Sequence, residues 1–131
     1  MKNNLIKYLL LTLLTALIAC TNTLPVHNPN FSVSSKGLAH VDKAVRAALK
    51  KRNWIIVSQG KNTITAKYSR GARHSATVKI DFTTTNVKVN LVDSYNLKQG
   101  TDESGQQVIH KTYNNWIANL ENDIQIELSY N

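Results

Sequence analysis

The chain has 131 residues, of which 42% are hydrophobic and 18% charged, and a formal net charge of +8. That length suits one domain with a modest core. A single cysteine, Cys20, excludes an internal disulfide framework.

Lys2 and Lys7 give a positive start, and Tyr8 to Ala19, YLLLTLLTALIA, is almost wholly apolar. A dozen residues cannot cross a bilayer core, which needs roughly 20, but they suit the apolar region of a secretory signal peptide. Leu17-Ile18-Ala19-Cys20 follows at the correct distance. This resembles the lipobox of bacterial lipoproteins, and the resemblance implies several things. Residues 1–19 are a signal peptide cut off by signal peptidase II. Cys20 carries diacylglycerol on its thiol, and its amino group takes a further acyl chain such as palmitate. Thr21, a residue other than Asp after the cysteine, implies delivery to the outer membrane, facing the periplasm. One chain binds a membrane only marginally, at roughly 0.8 kcal/mol per buried methylene, whereas two or three hold durably. With Cys20 lipidated, the mature domain has no thiolate nucleophile and no cysteine-ligated metal site.

Residues 20–35 form a polar stretch containing both prolines, expected as a lipid-anchored flexible tether that reaches about 20 Å. Ser34 or Ser35 then caps a helix over 37–52. Leu38, Val41, Val45, Ala48 and Leu49 recur at helical spacing, and the basic Lys50-Lys51-Arg52 suits the negative end of the helix dipole. WIIVSQ, TITAKY, SATVKIDF and VKVNLVDSY read as four strands. Turns at 60–62, around Gly71 and at 83–86 join them into an antiparallel meander. Residues 97–107 read as a polar loop. Ile109, Tyr113, Trp116, Ile117, Leu120, Ile124 and Leu128 mark a second helix over 109–129. The order α-β-β-β-β-α implies an α+β two-layer sandwich over 36–131, with a four-stranded meander covered on one face by two helices.

Charge is unevenly spread. Residues 36–88 hold twelve Lys or Arg against Asp42 and Asp81, whereas 89–131 hold Lys98 and Lys111 against six acids. The basic half suits an anionic envelope partner: lipid headgroups, lipopolysaccharide phosphates, peptidoglycan carboxylates or an acidic protein. Nucleic acid is not expected for an exported chain. Lys67, Lys79 and Lys88 point outward on successive strands and form a basic row if the strands pair in register. That face has Thr and Lys where RNA-binding sheets have aromatic residues.

A second candidate binding corner joins DSYNLK to IHKTYNNW, with Tyr95, Asn96, His110 and Asn114 as its polar and aromatic groups. The second stretch is similar to a motif of small bacterial lipoproteins, a group that carries no known activity. Catalysis has little support. His27, His40, His74 and His110 are scattered without metal-ligand spacing, so neither a metal nor a cofactor is expected. No nucleophile elbow or phosphate loop occurs. Glu121, Asp123 and Glu127 read as a solvated helix side. The expectation is therefore a lipid-anchored, non-catalytic binding or assembly protein. A periplasmic inhibitor or immunity-type protein using the 97–107 loop comes second, and an enzyme acting on cell-wall glycans third.

Overall fold

The computed structural model describes residues 22–130. The expected signal peptide, residues 1–19, and the expected lipid attachment at Cys20 lie outside the described residues. The domain is α+β with two helices and antiparallel sheets. Strands β1 (Thr23–Pro25) and β2 (Asn30–Ser32) precede helix α1 (Leu38–Lys51). Then come β3 (Ile55–Gln59), β4 (Thr63–Arg70), β5 (His74–Phe82) and β6 (Asn86–Tyr95). Short β7 (Gly100–Thr101) and β8 (Gln107–His110) lead into helix α2 (Lys111–Ser129).

The four expected strands are neighbours in chain order, but the sheet is not the four-stranded one expected. Its order is β2-β6-β5-β4-β3, and a second sheet, β1-β8-β7, stands beside it. Both additions come from stretches read as irregular. The 97–107 loop contains β7 and part of β8. The supposed tether is ordered from Asn22 onward: Thr23 pairs with His110, and Asn30 pairs with Lys88. Asn114 grips this segment, its Oδ1 accepting from the His27 N–H and its Nδ2 donating to the Pro25 carbonyl, both at 2.9 Å. Asn28 Oδ1 accepts from the Leu91 N–H at 2.9 Å. Asn side chains thus satisfy backbone groups, the N–H of His27 and Leu91 and the carbonyl of Pro25, around a segment whose two prolines limit its ladder bonding.

Alternation along the strands builds the core. Ile64, Ala66, Ala76, Val78, Ile80, Phe82, Val87 and Val89 are buried on the face that meets the helices. Val41, Val45 and Leu49 of α1 and Tyr113, Ile117, Leu120 and Ile124 of α2 close the same cluster. Burying a large aliphatic side chain contributes about 1.5–3 kcal/mol, so this cluster dominates stability. Trp54, Tyr68 and Trp116 line its margin, with Tyr68 edge-on to Trp116 at 4.8 Å between ring centroids.

The helix ends follow local chemistry. Neither Ser34 nor Ser35 is the N-cap of α1. Gly37 is, at φ 138°, and it makes no side-chain cap bond. Ser35 Oγ donates instead to the Thr84 carbonyl at 2.6 Å, fastening the start of the helix to the β5–β6 turn. His40 Nδ1 accepts from the Lys36 N–H at 3.0 Å, which gives that histidine a capping task. At the other end Asn53 is left-handed, φ 62°, with its N–H donating to the Lys50 carbonyl and that of Trp54 to the Leu49 carbonyl. This is a Schellman closure with Asn in the place usually taken by Gly.

Asp123 is not on a solvated side. It is 1% exposed, and Arg52 Nε donates to its Oδ2 at 2.6 Å while Lys51 Nζ lies 3.4 Å from Oδ1. The basic end of α1 is thereby joined to α2, so part of the charge asymmetry closes inside the domain. The Arg52 guanidinium holds the Asp123 carboxyl below the usual carboxylate range, against the opposing effect of burial.

Candidate functional site

The lysines of the open sheet face do not form a straight row. Lys67 stands opposite Thr77, Lys79 opposite Thr65 and Asn90, and Lys88 opposite Asp81. They lie on a diagonal, two residues displaced at each strand, where neighbours are about 7–8 Å apart. Asp81 interrupts the positive field, with its Oδ1 3.8 Å from Lys79 Nζ. A bulge between Thr77 and Val78 sets Val92 as an extra residue on β6, which turns Asp93 and Tyr95 outward although they share the parity of the inward Val87 and Val89.

The open face deepens at one end, beside the β4–β5 turn. A depression of about 410 Å³ is lined by Lys67, His74, Ser75, Asp93 and Tyr95 among others. Tyr95 is 64% exposed, presenting a bare aromatic surface. Around the β4–β5 hairpin lies a second, smaller pocket of about 230 Å³. Its walls are Arg70, His74, Asn96, Lys98, His110 and Thr112, with Leu97 at the base. His74 belongs to both.

Three segments converge on this second pocket, and backbone bonds fix them. His74 Nδ1 donates to the Asn96 carbonyl at 2.9 Å, and Asn96 Nδ2 donates to the Arg73 carbonyl at 3.0 Å. The Leu97 carbonyl accepts from the His110 N–H at 2.7 Å. His110 Nδ1 accepts from the Thr112 N–H at 3.1 Å, capping α2. These partners set the tautomers, because a carbonyl only accepts and an amide N–H only donates. Neutral His74 therefore has Nε2 as an acceptor and neutral His110 has Nε2–H as a donor, neither with a partner among the described residues. Asn96 and Lys98 both take left-handed backbone, φ 56° and 53°. For Lys98 this is a costly conformation, held by Leu97, which is 3% exposed.

The pocket is uniformly basic. No carboxylate lines it, and among the described residues neither Arg70 nor Lys98 forms an ion pair. Such a wall suits an anion. Among the described residues no group of three His, Cys, Asp or Glu could hold a metal.

Of the residues singled out from sequence, Asn96 and His110 meet in the basic pocket, and Lys67 and Tyr95 meet in the adjoining depression. Lys79 and Lys88 stay apart on the sheet. Asn114 belongs to neither, because its amide is occupied by Pro25 and His27. Sequence reading missed Arg70, His74, Lys98 and Thr112. The signal for the first two was the turn sequence SRGARH, whose glycine lets basic groups flank a tight hairpin. Nothing local indicated that Lys98 would face them. No known family matches the chain, and no curated protein or solved structure matches it.

Proposed function

We propose that the chain is an exported lipoprotein, held at the outer membrane through lipid on Cys20, whose domain binds an anionic envelope component without transforming it. The observation that carries the binding reading is the set of unpaired cations at one end of the sheet. Lys67, Arg70 and Lys98 surround His74 there, without an ion pair among the described residues. Asp93 lines the Lys67 side, whereas no carboxylate lines the side of Arg70 and Lys98, and a positive field of that kind attracts and orients anions. Tyr95 and the serine hydroxyls next to it add a surface suited to sugar rings, so an anionic glycan fits both halves of the site. The lipid part rests on the charged start, apolar run and Leu17-Ile18-Ala19-Cys20.

Two measurements test the parts separately. The mass of the N-terminal peptide from the native protein should equal Cys20 plus a diacylglycerol and an acyl chain; a bare thiol or an intact leader refutes the anchor. The detergent-extracted protein should bind lipopolysaccharide or peptidoglycan, and K67E should weaken that binding; absence of binding to both refutes the ligand class.

The inhibitor reading has one favourable feature. The exposed turn between β7 and β8 is locked by Asp102, whose Oδ1 accepts from Ser104 N–H, Ser104 Oγ and Gln106 N–H at 2.7–2.9 Å. A pre-ordered loop loses little entropy on docking. Inhibition of a periplasmic hydrolase, abolished by D102A, would favour this reading over the first.

A further inference from the structure

The smaller pocket admits a more specific assignment, which rests on the anion-binding reading above. Its volume, about 230 Å³, falls below the roughly 300 Å³ at which pockets begin to enclose whole drug-sized molecules. It therefore suits one charged group of a larger ligand. Its donors come from three separate directions: Arg70 at the end of β4, Lys98 from the β6–β7 loop, and His110 with Thr112 from the β8–α2 junction. A planar carboxylate offers two oxygens in one plane. A phosphate ester offers three peripheral oxygens arranged around a tetrahedral centre, which matches donors spread over three walls. The tautomers sharpen the match. His110 presents an Nε2–H to an oxygen, while His74 Nε2 accepts the hydroxyl proton of a singly protonated ester. We propose that this pocket takes a phosphate ester, with Arg70, Lys98, His110 Nε2 and the Thr112 hydroxyl contacting its oxygens and His74 completing the set.

Chain geometry bears on where the phosphate comes from. The Asn22 carbonyl accepts from the Lys111 N–H at 3.0 Å, and Thr23 pairs with His110, a wall of the pocket. Cys20 is two residues before Asn22, a reach of at most about 7 Å. Under the lipoprotein reading, the pocket therefore sits close to the anchor, at headgroup level. The shared chemistry is the phosphate ester, whether borne by a lipid headgroup or by a soluble molecule.

The test uses the full chain, expressed with its own leader and extracted in a neutral detergent. Phosphorus NMR would follow inorganic phosphate, glycerol 3-phosphate, and phosphatidic acid in phosphatidylcholine vesicles. Broadening of the ester signals by the protein is expected. R70Q and K98N should each weaken binding about tenfold, since each removes a charge-assisted contact. Asn tolerates left-handed backbone, so K98N keeps the fold, and circular dichroism verifies this. K61Q removes the same charge from the β3–β4 turn, outside the pocket, and should leave binding unchanged. Preference for phosphatidic acid over glycerol 3-phosphate identifies a headgroup, and the reverse identifies a soluble ester. Binding that K61Q weakens as much as K98N, or no binding of any ester, overturns the assignment. The two readings fail separately. Acylated protein that binds lipopolysaccharide but no simple phosphate ester sinks the pocket assignment alone. Phosphate binding by a protein without fatty acid sinks the anchor alone.

Discussion

Removing either partner of the Arg52–Asp123 contact should destabilise the domain unequally, although one contact is lost in both cases. Asp123 is 1% exposed, whereas Arg52 and Lys51 are 42% and 50% exposed. In D123A both cations swing into water and regain hydration. The loss is one close charge-assisted bond, roughly 1.5–3 kcal/mol, offset by the desolvation no longer suffered by the carboxylate, leaving about 1–2 kcal/mol. In R52A the carboxylate stays buried and keeps only Lys51 at 3.4 Å. Removing the cation leaves a carboxylate out of water with one weaker partner, and this exceeds the loss in D123A. R52A should therefore be the less stable variant, and R52A/D123A should lie near D123A, the signature of coupled sites. Urea unfolding at neutral pH reads all three. The pH dependence has a definite sign. Because the folded carboxyl titrates below its unfolded value, its contribution is complete above the ordinary carboxylate value near pH 4. It is lost as pH falls through the lower folded value. The gap between wild type and D123A should narrow over that acid range. Equal losses in R52A and D123A, or strict additivity, would refute this account of the buried carboxylate.

Three other substitutions probe separate parts of the fold. Tyr113 is fully buried, burial pushes its phenol above its usual range, and its hydroxyl has no hydrogen-bond partner among the described residues. Y113F should be neutral or stabilising by up to about 1 kcal/mol, measured by thermal unfolding, whereas a clear loss would reveal a partner. N114A should cost about 1 kcal/mol and speed amide exchange at His27 while sparing the β4–β5 ladder, and unchanged exchange would remove the clamp assigned to Asn114. Gly71 is left-handed, φ 62°, and a Cβ added there would meet nothing within 4 Å; G71A should cost about 1 kcal/mol through backbone strain alone, and a neutral result in urea would mean the turn can rearrange.

The strongly periodic parts of the chain were legible. The inward sets of β4, β5 and β6 and the apolar stripe of α2 fall on the expected faces, because alternation and helical spacing report burial directly. The additional strands were not legible for two reasons. β1 and β2 have three residues each and include or flank prolines, so they show no period and depend on partners far along the chain. β8 was absorbed into the helix because Ile109 continues the α2 stripe, although it ends a strand before His110 caps the helix. The same limit governed the site. Register decides whether Lys67, Lys79 and Lys88 align, and two bulges and an Asp81 opposite Lys88 are not visible in spacing. Asp123 looked solvated because its partners lie at the far end of another helix, more than 70 positions away.

The ordered N-terminal segment changes what an anchor on Cys20 would do. A free tether of fifteen residues would let the domain turn and drift about 20 Å from the bilayer. Instead β1 is zipped to β8 and Asn22 is bonded to Lys111, so the domain would be held with the β8–α2 junction toward the membrane. This placement, and not affinity alone, would let a shallow basic pocket select headgroup phosphate, since a tethered ligand surface raises effective concentration without any new contact. Inserting ten Gly/Ser residues between Thr21 and Asn22 would restore a reach of about 17 Å while leaving every described contact intact. Binding of soluble glycerol 3-phosphate should then be unchanged, and the preference for phosphatidic acid in the protein's own membrane should fall toward the soluble value. If the preference survives the insertion, the short connection between anchor and pocket has no part in recognition.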